Sequence, residues 1–180
     1  EDLLKEGHLA FFFENSNKVF LKVKHILDDL KFNETQTFRR NPIHFNCKRH
    51  HRLFNEFNII PKFCFSCFKI QIDPKNIIEL FKLFFIFDGI KFVDNNWRKC
   101  MIETRAEISG AYKGYIYCSS MEEVNKILQF ISPILNKFLK CKINIKRGCS
   151  EFYKSFPKYN LTDQKNKDFM KYNQNWENVE

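Results

Sequence analysis

Between Lys62 and Lys146 the hydrophobic pattern switches repeatedly between the two-residue period of a strand and the 3.6-residue period of a helix. That alternation restricts the fold more than any other feature. Lys62 to Ile72 (KFCFSCFKIQI) is aromatic and β-branched and is bounded by Pro61 and Asp73-Pro74, which predicts a strand. Asp73 followed by Pro74 predicts a helix start, with Asp as the cap and Pro in the first helical position. That helix should run to about Phe87 and stop at Asp88-Gly89. A short strand is expected at Ile90 to Val93. Arg98 to Arg105 and Tyr112 to Cys118 read as two strands joined by a turn at Ser109-Gly110, hence a hairpin. Ser120-Met121-Glu122-Glu123 is a capping box, in which the Ser hydroxyl and the Glu carboxylate each take an orphan amide. An apolar stripe from Val124 to Leu139 follows, and Pro133 should kink that helix or restart it. Lys142 to Lys146 reads as the last strand.

Strand, helix, strand, strand, helix, strand is the ferredoxin-like βαββαβ order of an α+β fold. It predicts an antiparallel sheet with two helices on one face and the other face open. The fold hosts many functions and names none. This unit should occupy residues 61–150. Residues 1–60 read as an N-terminal helical extension with a basic connector. Helices are expected near 2–13 and 17–31, broken at Asn15-Ser16-Asn17, with irregular chain and one short helix over 33–61. Two helices in tandem suit the end of a helical repeat and would offer a protein partner a surface. Residues 151–180 read as a polar tail, loosely ordered.

Charge needs a correction before it is used. The chain of 180 residues carries 30 Lys and Arg against 21 Asp and Glu, a net charge of +9. However, 81 of the 180 residues are Phe, Ile, Lys or Asn, all with AT-rich codons. Part of the Lys content therefore tracks base composition, and the seven Arg carry more information. A start at Glu1 reads as a fragment or a processed product, with no signal peptide. The most apolar run, Ile77 to Phe87, is interrupted by Glu79 and Lys82 and is too short to span a bilayer. A soluble, cytoplasmic protein with no membrane partner is expected. The odd count of seven cysteines, several inside apolar runs, predicts reduced thiols rather than a secreted disulfide framework.

Strand alternation assigns the faces. Ile116 toward the helices sends Lys113, Tyr115 and Tyr117 outward. Ile102 inward sends out Glu103 and Arg105. Ile70 and Ile72 inward send out Phe65, Cys67, Lys69 and Gln71, and Asn144 and Lys146 join them. A face both basic and aromatic suits single-stranded nucleic acid, with rings stacking on bases and cations on phosphates. Lys113-Gly114-Tyr115-Ile116-Tyr117, followed by Ser119-Ser120-Met121-Glu122-Glu123, resembles the third strand and second helix start of the RNA-recognition-motif family. The match rests on Lys113, Gly114, Tyr115 and Tyr117. It departs at Ile116, where a small residue is expected, and at Ser120, where an aromatic is expected. The resemblance covers residues 62–146. It implies a module for single-stranded RNA or another polyanion, with Tyr115, Tyr117 and Phe65 stacking and Lys69, Arg105, Lys113 and Lys146 on phosphates. Arg39, Arg40, Arg49 and Arg52, clustered with His44, His50 and His51, would add phosphate contacts or pair with the chain's own acids.

Two further chemistries are written in the sequence. Cys64-Phe65-Ser66-Cys67 is a CxxC, and Cys47 with His50 could complete a zinc set. A strand at 64–67 would point its two thiols to opposite faces, so no metal and no other cofactor is expected. For catalysis, Cys149-Ser150-Glu151 lies beyond the last strand, and His44, His50 or His51 could meet it in the fold. Lys146-Arg147-Gly148 could hold an anion. There is no Walker loop, dinucleotide glycine fingerprint or HExxH. A binding module is thus favoured over a small transferase or metal-assisted enzyme built on the Cys, His and Arg set.

Overall fold

The stretch of alternating periods supplies most of the sheet and the two helices packed on it. The computed structural model describes residues 6–27, 36–39, 45–106 and 108–180. In chain order these form α1 (Glu6–Leu27), β1 (Gln36–Arg39), α2 (Cys47–Phe57), α3 (Lys62–Phe65), β2 (Phe68–Asp73), α4 (Ile77–Gly89), β3 (Arg98–Ile102), β4 (Tyr112–Cys118), α5 (Met121–Phe138), β5 (Lys142–Arg147) and α6 (Phe152–Ser155). Two single-turn 3₁₀ helices follow, Pro157–Asn160 and Gln174–Trp176. The result is a mixed α+β protein. Its sheet runs β1-β3-β4-β2-β5, and every neighbouring pair is antiparallel. The hairpin expected over 98–118 is present, with Cys100 opposite Gly114.

Helices α4 and α5 lie on one face. Ile70, Ile72 and Ile116 of the sheet meet Leu83 and Phe87 of α4 and Ile131 and Leu135 of α5, all fully buried. Each such side chain contributes roughly 1.5–3 kcal/mol by leaving water. Gly114 lies where α4 crosses β4, and a Cβ there would overlap Leu83. The α5 start is capped as the sequence predicts: Ser120 accepts from the Glu123 amide at 3.1 Å, and Glu123 takes the Ser119 hydroxyl at 2.8 Å. On the outer side, α1 sets Phe12 and Phe13 edge-on against Phe85 and Phe81 of α4.

Several local expectations are corrected. The first helix is continuous through Asn15-Ser16-Asn17, because Asn15 donates its side-chain amide to the Phe11 carbonyl at 2.7 Å instead of capping a new helix. Helix α4 is capped by Asn76, whose side chain accepts from the Glu79 amide at 2.9 Å. Asp73 is unavailable as a cap because its carboxylate takes Lys113, Gln71 and Asn144. Lys62–Phe65 is a helical turn, so β2 begins only at Phe68. Residues 90–93 form no strand, and α5 runs unbroken through Pro133. The connector contributes a strand, β1, and an eleven-residue helix, α2. None of the described helices is long and apolar enough to cross a membrane.

Candidate functional site

The second face of the sheet carries the side chains that alternation assigned to it. Lys69 and Gln71 of β2, Tyr115 and Tyr117 of β4, and Lys146 of β5 all lie opposite the α4/α5 core. The face is not bare, however. Phe45 with α2, α3, and the chain after β5 build a second layer over it. That layer has its own core of Ile60, Cys64, Phe152 and Tyr159, flanked by Phe65 and Trp176. The Tyr159 hydroxyl donates to the Cys64 carbonyl at 2.6 Å. Arg147 donates to the carbonyls of Phe65 (3.2 Å) and Met170 (2.8 Å), with its guanidinium 4.1 Å from the Phe169 ring centre. The tail expected to be loose thus packs back on the sheet. Arg147 is used as an internal clamp, not as an anion ligand. Gly148 turns the chain with φ +53°, and its amide donates to the Cys67 carbonyl at 2.7 Å.

This cover changes the standing of the expected RNA contacts. Tyr115 is 9% exposed and donates to Gln71. Tyr117 packs in a ring cluster with Phe45 and Trp97, each centre 5.3 Å away. Phe65 points into the second core, edge-on to Tyr159, because α3 replaces the expected strand. Lys113 is 3% exposed, and its ammonium is bound to Asp73 at 2.9 Å and the Ser109 carbonyl. Arg105 pairs with Glu103 and Glu151, both at 2.8 Å. Arg52 pairs with Glu56, and Arg49 donates to the Glu180 main-chain oxygen. Arg39 lies in β1, while Arg40 and His44 lie outside the described residues. The acids of the chain itself therefore take up Arg52, Arg105 and Lys113.

Cys47, Cys64, Cys67 and His50, the residues that could have formed a zinc set, are not among the groups whose ligand atoms converge in the described residues. His50 is buried in a stack on Phe63, where burial, and then Arg49, lower its pKa. Cys64 sits in the second core, and burial raises its pKa. Among the described residues, the His, Cys and acidic groups that do converge are His51, Cys149 and Glu151, whose ligand atoms all lie within 4.8 Å of one another.

Those three residues border a cavity of about 460 Å³ between the sheet and its cover. Its walls include Lys69, Lys99, Tyr115, Tyr117 and Lys146. Cys149 follows the Gly148 turn out of β5, and His51 projects from α2. The Lys69 ammonium donates to the Cys149 sulfur at 3.5 Å. Burial alone would raise the Cys149 thiol, but Lys69 and a hydrogen bond with His51 hold it below the ordinary thiol value. That same bond outweighs burial and raises His51. Both shifts ease transfer of the thiol proton from Cys149 to His51. The contrast with the other thiols is sharp: burial lifts Cys67 to about 11 and also raises Cys118 and Cys141. A divalent ion on the Cys149 sulfur would sit beside the Lys69 ammonium, so the donor set suits a charged nucleophile better than a metal.

Sequence reasoning placed Cys149 and the three histidines on a list of possible partners but could not choose among them. It missed Lys69 as the partner of the sulfur. The chain matches no protein-family model, no curated protein and no solved structure.

Proposed function

We propose that the chain is a small enzyme in which Cys149 attacks an acyl carbon, His51 takes the thiol proton, and the nearby Glu151 carboxylate favours the charged imidazole. The convergence of the Cys149 sulfur, the His51 ring and the Lys69 ammonium at one cavity wall carries this reading. A nucleophile hydrogen-bonded to its base is the usual core of covalent catalysis. The cavity falls within the roughly 300–1,000 Å³ typical of small-molecule sites. A strand of RNA would instead need Tyr115 and Tyr117 as an exposed platform, and both rings are packed. The scaffold suits a ferredoxin-like unit with an added edge strand and a second layer: β3-β4-β2-β5 with α4 and α5 on one side supports it.

In the step, the Cys149 proton moves to His51 and the sulfur bonds to the acyl carbon. The leaving group departs with the electron pair of the broken bond and takes the proton from His51. Water or another acceptor then cleaves the thioester and restores the thiol. Lys69 and His51 favour loss of the thiol proton, and the bond to Cys149 favours its uptake by the imidazole.

p-Nitrophenyl acetate tests this. A burst of one nitrophenolate per chain is expected, with an acetyl group on Cys149 by mass spectrometry. Cys149→Ala should abolish the burst, and His51→Asn should slow it roughly 10²–10⁴-fold. Absence of acetyl-Cys149 would overturn the assignment.

A further inference from the structure

The register of β2 and β5 sets Lys69 directly opposite Lys146. Both face the cavity, and both are half-buried. Like charges facing across neighbouring strands destabilise a sheet. Cys149 answers only one of them, since its sulfur accepts from Lys69. Among the described residues, the Lys146 ammonium makes no hydrogen bond or ion pair. Burial, then Lys113, lower its pKa; Lys69 and Arg105 push the same way, and only Asp73 opposes them. Lys99 reaches the same cavity from β3 with its ammonium 5.5 Å from the Tyr115 ring centre, and burial and Lys69 lower it to about 8. Lys69 and Lys99 thus act on the Cys149 sulfur, and Lys146 stands across from Lys69.

We propose that the substrate of Cys149 carries a compact oxyanion, a carboxylate or a phosphate, seated against Lys146 with Lys99 on the far side of the cavity. The inference rests on Cys149 as the nucleophile. Register places Lys146 directly across from Lys69, whose ammonium reaches the sulfur, so an anion on Lys146 would lie one strand away from an electrophile on Cys149. Such an anion would relieve the repulsion that Cys149 leaves in place. Cross-strand neighbours stand about 4.5–5.5 Å apart at Cβ, so the acyl carbon and the oxyanion should be separated by only a few bonds.

Two alkylating reagents of similar size read the seat without a known substrate. Iodoacetate carries a carboxylate, and iodoacetamide is neutral. In both reactions the S–C bond forms, iodide leaves with the C–I pair, and the thiol proton passes to His51 or water. The ratio of the iodoacetate rate to the iodoacetamide rate at Cys149 should exceed that of 2-mercaptoethanol in the same buffer by about tenfold or more. Lys146→Gln should lower the ratio at least threefold, Lys146→Arg should keep it, and Lys99→Gln should lower it less. Slowing by inorganic phosphate more than by acetate would point to a phosphate, and the reverse to a carboxylate. Either result supports the seat. Rapid labelling by iodoacetamide with a ratio no higher than that of 2-mercaptoethanol would overturn the seat and leave the nucleophile standing. Failure of both reagents to label Cys149, together with no acetyl-enzyme, would instead remove the nucleophile on which the seat depends.

Discussion

The two faces of the sheet are stabilised in different ways. Toward α4 and α5, alternate residues of β2 and β4 are aliphatic and bury completely against two helices close by in the chain. On the other side, alternate residues are Lys, Gln and Tyr, and the cover comes from α2 and from residues after β5. The first face is a packed core made of local units. The second is a polar floor under a cover drawn from the segments just before β2 and after β5, held by single contacts such as Tyr159 to Cys64 and Arg147 to Met170. A face that is covered without being filled leaves a cavity, and its charged groups are then strengthened by exclusion of water. One side of the sheet supplies stability, and the other supplies chemistry.

Substitutions on the two faces should therefore fail differently. Ile116→Ala removes a fully buried side chain from the α4/α5 core and should cost about 2–5 kcal/mol of global stability. Unfolding followed by far-UV signal and by Trp fluorescence should shift together. Gly148→Ala puts a side chain where φ is +53° and where its Cβ would overlap the buried Tyr159 ring. Strain and overlap together should cost about 2–4 kcal/mol. Here the loss should be uneven: Trp176 in the cover should report unfolding before the sheet does, and Cys149 acetylation should fall sharply. A single coincident transition for Gly148→Ala would show that the two layers are one cooperative unit, which would blunt the contrast.

The same contrast explains what could be read from the sequence. The α4/α5 side was legible because its residues repeat with a period and because Ser120 to Glu123 states its own helix start. Strand alternation also gave the correct face for Lys69, Tyr115, Tyr117 and Lys146. The cover has no period. Phe152, Tyr159 and Trp176 are spaced irregularly, and each packs on a different partner, so the stretch reads as a polar tail. A four-residue helix such as α3 is too short to show its repeat, and its aromatic residues look like a strand. The pairing of Cys149 with His51 depends on that cover, so sequence alone could list the thiol and three imidazoles but not select the pair. Asp73 shows the limit of local rules: it has the right type and position for a helix cap, but three side chains from the sheet claim its carboxylate first.

The smallest effect expected is also the most specific to the charged face. Lys146 opposes Lys69 across β2 and β5, and removing one of two facing like charges should stabilise the sheet. Lys146→Gln is therefore expected to raise stability by a few tenths of a kcal/mol, up to about 1. Its folded-state pKa lies below the ordinary value. Between those two values the unfolded chain binds more protons than the folded one, so the stability of the parent protein rises with pH there. The advantage of Lys146→Gln should accordingly be full below the folded pKa and fade as pH approaches about 10.4, the ordinary lysine value. Urea denaturation of both proteins at pH 7 and pH 10 measures this directly. An equal gain at both pH values would mean that packing, not charge, sets the effect. A loss at pH 7 would mean that Lys146 already has an anionic partner in the folded chain, and the charged face would no longer differ from an ordinary surface.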